Sequence, residues 1–245
     1  MKRIFFVFVL ILSSFIVKAQ GDYNFSPLGV GFGVSSIRGY TNVAEQNNGI
    51  AYNANFSYYY SPYLPITAEL QSGTLSGGSI ITDPYKRQYS NNYISMTVHV
   101  DVQLGQFLDY SDGGYKQILK NFYFGPGIGF IDDNVKNQRT NLVPESGEPV
   151  GSYIFPGVDK SINEVLALRA GYEVKFYNEY DEPFIRLDIE YTHNIVFGEG
   201  LDGYDDPSSR FKNNYPDQYR QITIGMKYNF GLIQAYTKRI RNSFY

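Results

Sequence analysis

Only two histidines and no cysteine occur among the 245 residues, which limits the available chemistry before any fold is considered. His99 and Asp101 lie two apart, so on an extended strand they share a face, and a His–carboxylate pair is the core of many acid/base sites. The simpler reading is a satisfied polar pair inside a β protein. His193 falls in Thr192-His193-Asn194, with no adjacent Ser to act as a nucleophile. Glu199, Asp202, Asp205 and Asp206 offer oxygen ligands suited to calcium, but their spacing does not match the EF-hand loop, and a solvated acidic loop is the simpler reading. The glycine-rich segments are not phosphate loops, because no helix follows them to supply an anion-binding N-terminus. Without cysteine there are no disulfides, zinc–thiolate sites or thiol nucleophiles. The expectation is therefore no catalytic residue, no metal ligand, no cofactor site and no enzyme.

The elements that would carry these residues are strands. Period-two alternation recurs between turn residues. It is clearest over Gln221–Phe230, where Ile222, Ile224, Met226, Tyr228 and Phe230 oppose Gln221, Thr223, Gly225, Lys227 and Asn229. Asn91–Leu104, Glu164–Tyr177 and Pro183–His193 repeat it. Pro27–Ser36, Ile50–Tyr60, Leu64–Gln71 and Phe122–Phe130 complete a set of eight. A further strand pair inside a long loop would make ten. The connections Ile37–Asn48, Gly73–Asn92, Ile131–Asn163 and Asn194–Tyr219 are long and polar, whereas Ser61–Tyr63 and Asn178–Glu182 are short. Long loops at one end and short turns at the other is the outer-membrane barrel pattern, which Gly105–Asn121 breaks by being long on the short side.

A soluble barrel also alternates, but with its apolar face inward. Here the polar face is rich in Gly, Ser, Thr, Asn and Gln, which suits a narrow filled lumen. Its charges nearly balance, with Glu69, Asp101, Glu173, Asp188 and Glu190 against Arg169, Lys175, Arg186 and Lys227. Buried charges need partners, so this reads as a lumenal ion-pair network. The apolar face gathers Tyr58, Tyr60, Phe122, Phe124, Phe176, Tyr228 and Phe230 at strand ends sharing one edge, as an interfacial girdle requires. The expected fold class is an all-β, antiparallel, up-and-down transmembrane β-barrel over residues 20–230.

Both ends have their own reading. Met1-Lys2-Arg3, an apolar run to about Val17 and Ala19-Gln20 describe a signal peptide over residues 1–19, cleaved after Ala19. Loss of Lys2, Arg3 and Lys18 takes the net charge from −3 to −6, which disfavours nucleic acid as a partner. Residues 231–245 read as a periplasmic tail, with Leu232, Tyr236, Ile240 and Phe244 four apart and basic residues between, as in a short amphipathic helix.

The Gly29–Val34 strand, the Tyr123–Phe130 strand and the aromatic-ended Met226–Phe230 strand together resemble the small outer-membrane β-barrel domain family of Bacteroidota, of OmpA, OmpX or OmpW barrel size. The resemblance covers about Phe25–Phe230 and implies an outer-membrane location with lipid as the surrounding partner. It identifies architecture, not activity. The expected role is structural, adhesive or accessory to an envelope assembly, with an envelope protein partner engaged through the loops. The alternatives are a lipid-modifying or proteolytic barrel enzyme and a narrow solute pore. The loop aromatics Tyr85, Tyr89, Tyr153, Phe155, Tyr204 and Phe211 are expected to be exposed for interaction.

Overall fold

A computed structural model describes residues 23–108, 114–138, 140, 149–205, 207 and 216–236. The signal peptide read over residues 1–19 lies outside these. The strands are β1 (Tyr23–Phe25), β2 (Leu28–Tyr40), β3 (Asn48–Ser61), β4 (Leu64–Gly78), β5 (Gln88–Val100), β6 (Val102–Gln103), β7 (Phe122–Asn137), β8 (Lys160–Tyr177), β9 (Pro183–Phe197), β10 (Gln218–Phe230) and β11 (Gln234–Tyr236). Among the described residues, a short 3-10 turn at Leu104–Gln106 follows β6 and one α-helix, α1 (Tyr115–Leu119), precedes β7.

Each long strand pairs antiparallel with the next along the chain, and β10 returns to β2 from Gln218↔Tyr40 to Phe230↔Leu28. The β5–β7 pairing joins the two halves, so eight strands close without a free edge. Closure satisfies the backbone hydrogen bonds that lipid cannot. Short β6 continues β5 past a break at Asp101 and pairs with the same neighbour, Val102↔Phe124 and Gln103↔Tyr123. The long connection on the short-turn side therefore holds the end of a broken strand and α1, and the count is eight.

The apolar face points outward, as expected. Ile224 is 66% exposed and Phe32 61%, while Thr223, Lys227, Arg186 and Asp101 are buried. This inside-out distribution is that of a barrel spanning a bilayer. Tyr58, Tyr60, Phe122, Phe124 and Tyr228 are exposed along the short-turn edge, forming the girdle there. Room for the lumenal side chains comes from inward glycines: a Cβ on Gly31 would lie 2.7 Å from both Asn55 Oδ1 and Lys227 Cγ.

The strands run farther than the alternation suggested, and the extension lies at the long-loop end. There the polarity of the two faces reverses. On β2, Val34 faces out and Ser35 in, but three residues on Ile37 is buried and Arg38 faces out. On β7, Phe130 faces out, whereas Ile131 and Val135 are buried and Asp132 and Asn134 exposed. Tyr219 inside and Arg220 outside make the same switch on β10. A fixed-parity reading stops each strand at this reversal, although the backbone pairing continues through it.

Below the barrel, β11 pairs with β1 through Tyr23↔Tyr236 and Phe25↔Gln234. The helix expected over the tail is therefore replaced at Gln234–Tyr236 by a strand. Tyr236 meets Tyr63 of the β3–β4 turn edge-on, with ring centroids 6.4 Å apart, and Phe25 is buried. Packing against the turn favours extended chain over an isolated helical turn, which is marginal at this length. Residues 237–245 lie outside the described residues.

Candidate functional site

The lumen brings together every charge assigned to it from sequence. Arg169 on β8 lies 3.6 Å from Glu69 on β4 and 3.7 Å from Asp101 just after β5, and donates to Glu190 on β9. Arg186 donates to Glu173 at 2.7 Å and to Asn229 Oδ1 at 2.8 Å. Lys227 lies 3.3 Å from Asp188, and Lys175 lies 3.8 Å from Glu173 while donating to Gln103 Oε1 at 2.6 Å. The short-turn end is closed by Arg186 over the Tyr59 ring at 4.1 Å and Lys175 over the Tyr63 ring at 4.4 Å. Oppositely charged groups on facing walls fill this barrel, although Arg169 Nε, Asp101 Oδ1 and Asp188 Oδ1 have no hydrogen-bond partner among the described residues.

The His99–Asp101 pair belongs to this filling. Nδ1 of His99 lies 3.0 Å from Asp101 Oδ2, and both residues are buried. Nε2, the atom an acid/base dyad would present to substrate, has no hydrogen-bond partner among the described residues. His193 sits on the outer wall, with Nε2 2.9 Å from Gln218 Oε1 and its ring 6.3 Å from that of Tyr40. The structure places the two histidines apart, one inside and one outside.

At the long-loop end the interior becomes apolar. Ile37, Leu75, Tyr89, Tyr93, Ile131, Val135, Val165, Val196 and Tyr219 form one buried cluster with Phe155, Leu201 and Tyr204 from the loops. The exposed loop aromatics expected from sequence are thus corrected at three positions. Tyr89, Phe155 and Tyr204 are buried, and Tyr85 and Tyr153 pack against the same cluster. Phe211 lies outside the described residues. Burying these rings closes the mouth of the extended barrel and removes apolar surface from water.

Polar pins hold this cap. Asp83 accepts from the N–H groups of Tyr85 (2.9 Å), Arg87 (3.1 Å) and, across loops, Ala44 (3.0 Å). Arg87 donates to the Asn42 carbonyl at 2.6 Å. Asp202 accepts from the N–H groups of Asn42 at 3.3 Å and Tyr204 at 2.9 Å, and Asp217 accepts from Leu201 N–H at 3.0 Å. The Tyr204 hydroxyl donates to the Gln138 carbonyl at 2.7 Å, tying the last loop to the third. Gly203 turns the chain at φ +74°, where a side chain is strained and a Cβ would meet Asn137 Nδ2 at 2.8 Å.

Electrostatics follow from that burial. Desolvation raises the Asp202 carboxyl to about 6, opposed by the N–H donors of Tyr204 and Asn42 and by the Arg87 charge. Desolvation, then the neighbouring Asp202 charge, raises Asp217 well above the usual carboxylate range. Of the four acidic residues considered for calcium, Asp202 serves as a buried acceptor of backbone N–H groups, Asp205 is exposed, and Asp206 lies outside the described residues. Among the described residues no group of three or more acidic or histidine side chains is arranged to hold a metal ion. Sequence reasoning missed the pins Asp83, Arg87 and Asp217; Asp83-Pro84 was the available signal, since Asp before Pro initiates turns.

No protein-family model and no curated protein matches the sequence. Solved bacterial outer-membrane proteins are similar to it in shape. The attachment invasion locus protein Ail of Yersinia pestis, solved in complex with the heparin analogue sucrose octasulfate, aligns with TM-score 0.44 and 10% identity, over 86% of this chain and 100% of Ail. Neisserial surface protein A aligns with TM-score 0.41 and 10% identity, over 86% of this chain and 100% of its own. The outer membrane enzyme PagL aligns with TM-score 0.29 and 13% identity, over 81% and 99%. The strand pairing decides the fold independently of these. This chain is an eight-stranded transmembrane β-barrel.

Above the cap, part of the loop surface remains apolar. Ile81 is 77% exposed, Ile154 68%, and Ile80, Val150 and Val158 about half or more. These residues lie in the 79–87 and 138–159 connections and are exposed apolar groups among the described residues there.

Proposed function

We propose that the protein is a non-catalytic outer-membrane barrel of bacterial, Bacteroidota-type origin, exported by residues 1–19, whose role is adhesive or accessory to an envelope assembly. The observation that carries this reading is the contrast between a filled lumen and exposed apolar loop tips. Among the described residues, ion pairs and aromatic rings occupy the interior from Lys175 to Tyr204, and His99 is buried within it. Ile80, Ile81, Val150, Ile154 and Val158 stand in water, where exposed apolar side chains mark surfaces that bind other molecules. The partner engaged there is an envelope or host-surface protein.

The test is paired. Unboiled purified outer membranes should show heat-modifiable gel mobility for the parent, and Ile81→Asp/Ile154→Asp should retain it. The same double variant should lose partner capture or the adhesion phenotype, whereas His99→Ala and His193→Ala should keep it. Loss of phenotype in either histidine variant, with the loop variant silent, would revive an enzyme.

A further inference from the structure

At the level where the faces of the barrel reverse, the outer wall carries two arginines as direct cross-strand partners. Arg220 on β10 is in register with Arg38 on β2, and on its other side with His193 on β9. Side chains so paired on one face have Cβ atoms about 4.5–5.5 Å apart, and like charges directly opposite are destabilising. Among the described residues, none of their neighbours on this part of the wall carries a negative charge. Asn48 on β3 is in register with Arg38, Leu168 on β8 with His193, and Gln218 and Tyr40 form the adjacent pair toward the loops. Toward the membrane band the next outward residues are Ser36, Ile222 and Tyr191. All of these are neutral. Among the described residues neither arginine has a side-chain hydrogen-bond or ion-pair partner, and both are half-buried.

The far wall differs at this level, with its exposed cations Lys136 and Lys160 lying farther toward the loops. At the corresponding level on the far wall, β7 and β8 present the exposed carboxylates Asp132 and Glu164. The paired guanidiniums stand immediately above Ile222, Ile224 and Val34 of the lipid-facing band, at the long-loop end. That is the depth of the headgroups in the leaflet on that side.

We propose that Arg38 and Arg220, flanked by His193, Gln218, Tyr40 and Asn48, form a binding site for a phosphate-bearing lipid headgroup of the outer leaflet. A phosphate between the two guanidiniums converts a repulsion into charge-assisted hydrogen bonds, each fork matching two phosphate oxygens. The Gln218 amide, the Tyr40 hydroxyl and the Asn48 amide supply neutral donors around it, and the acyl chains lie along Val34, Ile222 and Ile224. The proposal rests on the membrane-spanning reading with the long loops outward.

The experiment reconstitutes the full chain in vesicles of zwitterionic phosphatidylcholine with increasing lipid A, and separately with lipid A stripped of phosphate. The readouts are lipid A molecules retained per barrel and the temperature at which heat-modifiable mobility is lost. The parent should retain lipid A and gain thermal resistance from it, but not from the phosphate-free form. Arg38→Gln/Arg220→Gln should bind about tenfold more weakly while showing parent-like mobility without lipid A, and Arg38→Lys/Arg220→Lys should recover part of the loss. Equal retention by parent and Gln variant, or equal retention of both lipid forms, would overturn the site. So would protection of the parent by inorganic phosphate alone to the same extent, because the ligand would then be the free anion. Failure of the parent to show heat-modifiable mobility in any vesicle would instead overturn the membrane reading, and this inference with it.

Discussion

The barrel interior is two different solvents stacked along one axis. From Lys175 and Arg186 to Glu69 and Arg169, the strands enclose ions and amides and turn apolar side chains outward. From Ile37, Ile131 and Val165 to Tyr204, the same strands enclose hydrocarbon and aromatic rings and turn Arg38, Asp132 and Arg220 outward. The lower part is shaped for lipid outside, and the upper part is an ordinary water-surrounded barrel. One continuous backbone ladder serves both, because hydrogen bonding is indifferent to which face is apolar, whereas side-chain solvation is not. The reversal therefore marks the membrane boundary more sharply than any composition average does.

The comparison can be broken first at its most costly point. Arg169→Ala leaves Glu69, Asp101 and Glu190 facing one another with their shared cation gone, and should destabilise the barrel by about 3–5 kcal/mol. The midpoint of urea unfolding in lipid vesicles measures it. A midpoint unchanged within error would mean that the lower interior is solvated rather than filled.

A cation on the outside sharpens the boundary itself. Ile224→Lys, within the lipid-facing band, should cost about 2–4 kcal/mol of insertion and folding. Ser36→Lys, two residues farther along β2 than Val34 and beside the reversal, should cost much less. Folded yield from vesicle refolding compares the two, and equal losses would show that the boundary is misplaced.

The smallest effect tests the cap. The Asp202 carboxyl titrates near 6 in the folded protein against about 3.9 for a free Asp, so the folded state holds a proton over that window that the unfolded chain has released. The contribution is fully present below about pH 4 and is lost as pH rises through 6. Resistance of the 198–217 loop to surface protease should accordingly fall between pH 4 and pH 7 in the parent. Asp202→Asn, which stays neutral, should flatten that dependence by roughly 1–3 kcal/mol. An identical pH profile in both would remove Asp202 from the mechanism of closure.

Much of this architecture was legible in residue order. The parity of Ile222 to Phe230, and of the other alternating segments, assigns each side chain to a face because a strand has period two whatever surrounds it. Glu69, Asp101, Arg169 and Lys227 were recognisable as lumenal for the same reason, and near-balance of sign foretold their pairing. Other features depended on which strands become neighbours. That Arg38 opposes Arg220 follows only from closure of β10 onto β2, between residues far apart in the chain. That Tyr89, Phe155 and Tyr204 are buried rather than displayed follows from loops converging over a mouth that no single loop reveals. The strand at Gln234–Tyr236 needed Tyr23–Phe25 beside it, where four-residue periodicity alone had argued for a helix. Local pattern decides the direction in which a side chain points; only the closed tertiary structure decides what it meets there, because solvation and pairing are properties of the assembled neighbours.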